Sequence, residues 1–568
     1  MPVRRPANVV YGLEDTPPLH VTALNGVQYV GLIAINLVYP LLVFHVAGVP
    51  APLVGGLLGA GMLVLGVATF LQVLRIGPVG SGYMCPATFT ATYLGPSLLA
   101  VQVGGLPLLF GMTLFAGLLE VALAPLLNRL RPIFPPEVSG LVIFVIGLSG
   151  GIAGLRAMLG DKAAPVSAQE WWVAGVTLAT MIALNVWARG IARMLCALIG
   201  LVIGYVVAAV AGLIAPGSLR TVGAALWIGL PDFGHLSWSF DVSMVVPFAI
   251  AAVAAAMKAV GTIAVCQRMS DADWVRPDMR SITRGVVADG ASTALAGMTG
   301  ALGTNTSTPA VGLAAATGMA SRKVAYAVGA IFLLLGLFPK LTALLAVMPR
   351  PVVVASLLFA VTFVMINGLQ VMSSRMLDSR RTLVIGLAIV AGAAVEVFPG
   401  LSATAPDAAR PLIGSSLVFS TAIALLLNAL FRIGVKQTAL FRVESVPVDP
   451  EKLEEFMEVN GAAWGARRDV IDRAKFNLAQ SLEVVLESGE PRGPLEITAS
   501  FDEFNLDVRV SYEGAPLELP DTRPSAEEIV ASEEGQRRLA GFLLRRFADR
   551  VSSTHRAGRS TILFHFDH

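Results

Sequence analysis

Met244-Val-Val-Pro-Phe-Ala-Ile-Ala-Ala-Val-Ala-Ala-Ala-Met-Lys258-Ala-Val-Gly-Thr-Ile-Ala-Val-Cys266 is apolar throughout except for one ionisable side chain near its middle. The stretch is long enough to cross a bilayer, which takes about 20 apolar residues. An intramembrane charge is costly, so it faces a cavity, a partner or the interior of a helix bundle. This one segment therefore predicts a membrane protein made of helices and makes Lys258 the first candidate to line a polar pocket within it. The structural alternatives are a lysine paired with Asp289 or Glu120, or one that snorkels to an interface. Its depth in the span argues against snorkelling.

Working outward, the rest of the chain has the same character. Only 14% of its 568 residues are charged, 55% are hydrophobic, and the mean hydropathy is +0.71. Soluble proteins carry about 25% charged residues. No Asp, Glu, Lys or Arg occurs from Val21 to Leu74, or from Ile76 to Leu119. The net charge of +2 says nothing about nucleic acid, and no basic cluster suggests such a partner. Cys85, Cys196 and Cys266 sit in apolar segments without metal-ligand spacing and read as buried thiols, so no metal or cofactor is expected. No apolar run precedes Val21, and the first span continues too long for a cleavable signal.

Apolar stretches predict about 14 transmembrane segments, near 21–47, 51–74, 87–100, 105–127, 138–159, 171–188, 193–215, 244–266, 286–302, 309–319, 323–348, 351–373, 382–399 and 411–432. Two of them, 87–100 and 309–319, are too short to cross alone. Each follows a Gly, Ser, Thr and Pro-rich stretch, Gly77-Pro-Val-Gly-Ser-Gly82 and Gly303-Thr-Asn-Thr-Ser-Thr-Pro309. Short, interrupted spans at matching places in two halves of a chain point to a binding site built on broken helices. Gly55-Gly-Leu-Leu-Gly-Ala-Gly61 predicts close helix packing. Lys and Arg cluster after even-numbered spans, at Arg129/Arg131, Arg189/Arg193, Gln267–Arg284, Arg322/Lys323, Arg375–Arg381 and Arg432–Lys436. The positive-inside rule then places both termini in the cytoplasm, with the protein in the inner (plasma) membrane.

Several of these segments resemble the nucleobase–ascorbate transporter family, also called nucleobase:cation symporter-2. Pro309-Ala-Val-Gly312-Leu-Ala-Ala-Ala-Thr317-Gly318 is similar to its signature, departing only at Ala310, where Asn is expected. Tyr11-Gly-Leu-Glu-Asp-Thr-Pro-Pro18 resembles its N-terminal lead-in. Gln28-Tyr29 stands where a Gln-His pair is common. Gly77–Gly82 with Ala87-Thr-Phe-Thr90 resembles the approach to the third span, and Arg284-Gly-Val-Val-Ala-Asp289-Gly290 the ninth. The match runs in order from about Tyr11 to Lys436.

The resemblance implies two inverted seven-helix repeats in residues 21–436, after a cytoplasmic segment 1–20. A core of spans 1–4 and 8–11 would move against a gate of spans 5–7 and 12–14 in a homodimer. Cargo would bind where short strands lead into half-helices 3 and 10, whose N-termini offer backbone N–H groups. By the same alignment the substrate-binding candidates are Lys258, Phe89, Thr88, Thr90, Thr262, Thr308, Pro309, Ser307 and Tyr29. Asp289, Gln28, Gly312 and Thr317 have coupling or structural roles. Thr304, Asn305 and Thr306 either contact cargo or satisfy broken backbone.

The departure at Lys258 matters most. In nucleobase carriers of the family a carboxylate on span 8 accepts the ring N–H groups; Lys258-Ala-Val-Gly261-Thr262 places an ammonium there. An ammonium only donates. The expected cargo is therefore purine-like or another small anion, carried by a secondary transporter. The rival is a non-transporting membrane receptor that signals through the C-terminal domain. No nucleophile–base pair or intact nucleotide site supports an enzyme.

From about Glu444 the composition becomes that of a soluble domain. Residues 445–568 read as helices 450–460 and 467–487, strands 495–500 and 505–512, a helix 525–550 and a strand 560–566. This order resembles the ATPase domain of histidine kinases. Asn477 and Ser481 stand where its Glu and magnesium-binding Asn belong, and Tyr512-Glu-Gly514 replaces Asp–X–Gly. With those groups lost, the domain is expected to be cytoplasmic, degenerate, and regulatory or partner-binding.

Overall fold

A computed structural model of the chain describes residues 9–75, 77–127, 136–159, 166–214, 216–231, 236–272, 277–373, 379–398, 413–431, 437–443, 450–489, 494–502, 505–514, 533–556 and 558–567, with a few isolated residues between these runs. They form two compact units, Met1–Leu427 and Asn428–His568.

The first unit is helical. Its elements are α1 (Leu19–Ala34), α2 (Val38–Val46), α3 (Ala51–Val73), β1 (Ala87–Phe89), α4 (Leu94–Leu123), α5 (Pro136–Leu159), α6 (Ala168–Trp187), α7 (Ile191–Met194), α8 (Cys196–Val210) and α9 (Pro216–Ala224). Then follow α10 (Val245–Ser270), α11 (Met279–Thr299), β2 (Thr304–Thr306), α12 (Thr308–Thr317), α13 (Arg322–Gly336), α14 (Pro339–Ala346), α15 (Arg350–Met372), α16 (Ser379–Val397) and α17 (Ser416–Phe431). Among the described residues six helices are long and apolar enough to cross a membrane unaided. The others are shorter or more polar and occupy the places where the remaining spans were expected.

Breaks fall where the chemistry of the backbone demands them. α1 and α2 form one span joined by the 3-10 turn Ile35–Leu37. Gly105, at φ 68° and ψ −160°, interrupts α4, and Pro107 follows it; this separates the third and fourth expected spans. The stretch expected as one span over 323–348 is instead bent by 79° between α13 and α14, where Pro339 opens the second piece. Proline lacks the N–H that would continue the helical ladder. The N-terminal segment lies along the end of α12: Val10 N–H donates to Gly318 O at 2.8 Å, and Ala320 N–H donates to Tyr11 O at 2.9 Å. Arg322 joins it to the loop before β1, pairing with Glu14 at 2.6 Å and donating to Gly82 O at 2.6 Å.

The helix crossings carry the signature of a repeat. A Cβ added at Gly117 of α4 would lie 2.6 Å from Gly290 O in α11, and one at Gly290 would lie 2.8 Å from Gly117 O. Gly66 of α3 and Gly329 of α13 face each other in the same reciprocal way, at 2.8 and 3.1 Å, and Gly140 of α5 and Gly368 of α15 at 2.7 and 2.8 Å. Exchanging each span with the one seven places on turns the 4–9 crossing into the 2–11 crossing and returns the 5–12 crossing to itself. The antiparallel pair β1–β2, with Thr88 opposite Asn305, joins the two halves at the same centre. In the Gly55–Gly61 run, a Cβ added at Gly59 would lie 3.2 Å from Gly336 O and one at Gly61 2.8 Å from Phe89 Cζ, so both sites need a residue without a side chain.

The second unit is a small α/β domain: β3 (Gln437–Val443), α18 (Pro450–Trp464), α19 (Arg468–Gly489), β4 (Leu495–Phe501), β5 (Asn505–Glu513), α20 (Glu533–Phe547), β6 (Arg550–Arg556) and β7 (Arg559–Asp567). The sheet is antiparallel in the order β3-β4-β5-β7-β6. Every second residue of β4 is buried, which is how one face of a sheet meets helices. Leu478, Leu482, Ile497, Val508 and Phe564 form its core. Two expectations need correction. The domain begins before residue 445, because β3 pairs with β4 along its length. The helix placed at 525–550 ends at Phe547, and Arg550 opens a strand the sequence reading missed. That strand, Arg-Val-Ser-Ser-Thr-His-Arg, is an exposed edge with little apolar alternation, so its pattern was faint. Residues 526–532 lie outside the described residues.

Candidate functional site

β1 and β2 stop short of crossing and hand the chain to α4 and α12 at the wall of a cavity of about 710 Å³. This is within the size range of small-molecule sites. Thr88, Phe89, Thr90, Lys258, Ser307, Thr308 and Pro309 line it, so seven of the nine predicted binding residues converge on one space. Lys258 Nζ donates to Thr90 Oγ1 at 3.4 Å. No ion pair joins it to a described residue: Asp289 and Glu120, the partners considered for it, are engaged elsewhere. A lysine has three N–H donors, and a single long bond to a hydroxyl leaves most of that capacity for a ligand.

The half-helix ends differ from the expectation of open N–H groups. Ser307 Oγ accepts from Ala310 N–H at 3.4 Å, Ser307 O accepts from Val311 N–H at 3.1 Å, and Pro309 has no N–H. The first turn of α12 therefore leaves at most the Thr308 N–H. Thr90 Oγ1 caps Thr92 N–H in the same way at 3.3 Å. Side chains, above all Lys258, carry more of the donor chemistry than the half-helix backbone does.

Two predicted binding residues stand behind the wall. Thr262 is buried, bonds Thr308 Oγ1 at 2.9 Å and donates to the Lys258 carbonyl at 2.9 Å, so it fixes other residues of the site. Tyr29 is fully buried and packs in the core outside the cavity lining. Gln28, Gly312 and Thr317 are also absent from the lining; Gly312 and Thr317 lie on the exposed face of α12, with Thr317 Oγ1 bonded to Leu313 O at 2.9 Å. Thr304 and Asn305 satisfy broken backbone: Thr304 N–H donates to Thr293 Oγ1 at 3.2 Å, and Asn305 Nδ2 to Ala255 O at 2.9 Å.

Asp289 is hydrogen-bonded to the scaffold. Its two oxygens accept from Gln72 Nε2 at 3.0 Å and from Thr306 N–H at 3.2 Å, tying α3 and β2 to α11. Asp289→Asn turns an NH2 toward one of these donors, and an unmet buried donor costs about 1–3 kcal/mol. The variant is expected to melt at a lower temperature in detergent while keeping the ligand affinity of the wild type. Weakened binding at unchanged melting temperature would instead assign Asp289 to the cargo. Glu120 is likewise buried, accepting from Tyr93 Oη at 3.3 Å.

The opposite wall was not visible from motifs. Asn36, in the 3-10 break between α1 and α2, donates to Thr88 Oγ1 at 2.7 Å and lines the cavity. Asn185 of α6, Arg193 of α7, and Phe359, Phe363, Asn367 and Gln370 of α15 complete it. Positions 359, 363, 366, 367 and 370 recur at the spacing of one helix face, a signal present in the sequence but indistinguishable there from ordinary packing. Phe359 and Phe363 meet edge to face, centroids 5.1 Å apart. Among the described residues lining the cavity there are two cations, four side-chain amides and no carboxylate.

The sequence profile of a permease family, that of the xanthine/uracil permeases, matches residues 22–401. Xanthine permease XanP of Escherichia coli (strain K12) is 26% identical over 441 residues, 75% of this chain and 95% of that protein. The nucleobase transporter PlUacP of Paenibacillus larvae is 26% identical over 419 residues, 72% of this chain and 95% of its own. Among solved structures, the transmembrane domain of the cyanobacterial bicarbonate transporter BicA aligns with a TM-score of 0.46 at 16% identity, over 74% of this chain and 100% of that one. The relatives are permeases, not enzymes. Because the profile extends over well more than half of the sequence, the chain belongs to the xanthine/uracil permease family.

Proposed function

We propose that this nucleobase-type permease carries an anionic, acceptor-rich solute of purine-like shape. One observation carries the reading: among the described residues Lys258, on the cavity wall, has no ion-pair partner, and the lining holds no carboxylate. A cavity of donors suits carbonyl oxygens, deprotonated ring nitrogens and carboxylates, and leaves the N–H groups of a neutral nucleobase poorly met. The Phe89, Phe359 and Phe363 rings suit a flat heterocycle. Movement of spans 1–4 and 8–11 against spans 5–7 and 12–14 would carry the site across the membrane as an elevator, in a homodimer of the inner membrane with both termini cytoplasmic. Binding competition on the purified full chain tests the cargo: urate, an anion at neutral pH, is expected to displace a bound purine far better than hypoxanthine or uracil. The reverse order would refute the reading.

A second reading, a receptor that binds without transporting, is favoured by the folded C-terminal unit. Asn477 and Ser481, at the positions of the kinase-like catalytic groups, are fully buried, and Asn477 Nδ2 donates to Arg473 O at 3.1 Å. Side chains turned into the core suit a regulatory or partner-binding role for the domain. Uptake of radiolabelled urate into proteoliposomes separates the readings, because a receptor binds the solute and does not accumulate it.

A further inference from the structure

Arg193 is explained by the sequence as one of the cations that hold a loop in the cytoplasm. Its neighbour Arg189 meets that need equally well, yet Arg193 does something more: it lines the ligand cavity while remaining exposed. No ion pair or hydrogen bond engages its guanidinium among the described residues. Asn367 and Gln370 of α15, one helical turn apart near the end that leads to the Arg375–Arg381 cluster, line the cavity with it. By the positive-inside rule both features belong to the cytoplasmic side. On that orientation the cavity would open inward, with half-buried Lys258 deeper in it than exposed Arg193.

We propose that Arg193, supported by the amides of Asn367 and Gln370, is a second anion station at the cytoplasmic mouth, which steers a small organic anion to and from the Lys258 site. This rests on the anion reading above. An exposed, unpaired cation at the rim of a low-dielectric cleft raises the local concentration of anions and the rate at which they enter. Such an effect fades once the ionic strength shortens the Debye length below the distance to the rim. It is indifferent to neutral solutes.

The test measures equilibrium binding of urate and of neutral hypoxanthine to the purified full chain, at low and at high salt, for wild type, Arg193→Gln and Arg193→Lys. Arg193→Gln is expected to weaken urate binding about threefold or more at low salt, as a unit charge several ångströms away through water would. Arg193→Lys restores it, hypoxanthine binding does not move, and the loss vanishes at high salt. Equal urate affinity in wild type and Arg193→Gln at low salt overturns the proposal, and so does an equal loss for both solutes, which marks a structural effect. Failure of the anion reading itself looks different: urate would then bind no better than hypoxanthine in the wild type, at any salt concentration.

Discussion

Lys258→Gln is expected to abolish saturable urate uptake in proteoliposomes while leaving the protein folded. Glutamine is one atom shorter, keeps an N–H donor, gains a carbonyl acceptor and removes the charge, so the change tests the ammonium itself. Removing one partner of a desolvated, hydrogen-bonded charge pair costs about 2–5 kcal/mol, much of it the penalty on the charge left behind. That is a loss of roughly 30-fold or more in affinity. The cavity offers no substitute at that wall, because Thr90 and Ser307 already cap their own helices and Pro309 has no N–H to give. Neutral purines behave oppositely: relieved of an unmatched ammonium and given an acceptor, the site should hold hypoxanthine at least as well as before. Lys258→Arg keeps the charge and retains partial uptake of the anion. Unchanged urate kinetics in Lys258→Gln, with an unchanged melting temperature, would remove Lys258 from the binding machinery.

Much of this was legible in the residues because membrane insertion writes its requirements locally. Runs such as Ala51–Val73 and Arg350–Met372 announce spans by length and apolarity alone, and Gly77–Gly82 and Gly303–Pro309 mark the two breaks by composition. One wall of the cavity follows from those breaks, so Thr88, Thr90, Lys258, Ser307 and Thr308 line it together. What stayed hidden depends on tertiary geometry. Tyr29 and Lys258 both sit on helices that reach the cavity, yet only one side chain points into it, and no local pattern separates them. Asn36 owes its place to a 3-10 break that carries no Gly or Pro of its own. Arg193 and Gln370 come from spans with no Gly- or Pro-rich break to mark them, and only the packing of α6, α7 and α15 brings them to the cavity. In the second unit, β6 escaped notice because an edge strand with a wet outer side does not need the alternation that marks a buried one.

The reciprocal glycine crossings should be as intolerant of change as the site. A Cβ at Gly117 would lie 2.2 Å from the Ala294 nitrogen and 2.6 Å from Gly290 O, both backbone atoms of α11. Backbone cannot rotate aside as a side chain can, so α4 and α11 must separate, and every contact along the crossing loosens with them. Overpacking at a well-packed position costs about 1–3 kcal/mol and more when only backbone faces it. Without a hydrophobic drive between helices in lipid, close packing of small residues is a main source of their association. Gly117→Ala is therefore expected to lower the melting temperature sharply in detergent, and Gly117→Leu to prevent recovery of a monodisperse protein. Because the 2–11 crossing is the counterpart of the 4–9 crossing, Gly66→Ala, whose Cβ would meet Leu333 Cγ at 2.6 Å and Gly329 O at 2.8 Å, should do comparable damage. Gly175→Ala is the control: nothing lies within 4 Å of its added Cβ, and alanine favours a helix over glycine by about 0.5–1 kcal/mol. Size-exclusion profiles and thermal unfolding of the four variants decide the matter. If Gly117→Ala melts with the wild type, the two backbones are not in contact there, and the pairing of crossings that relates the two halves of the molecule loses its main support.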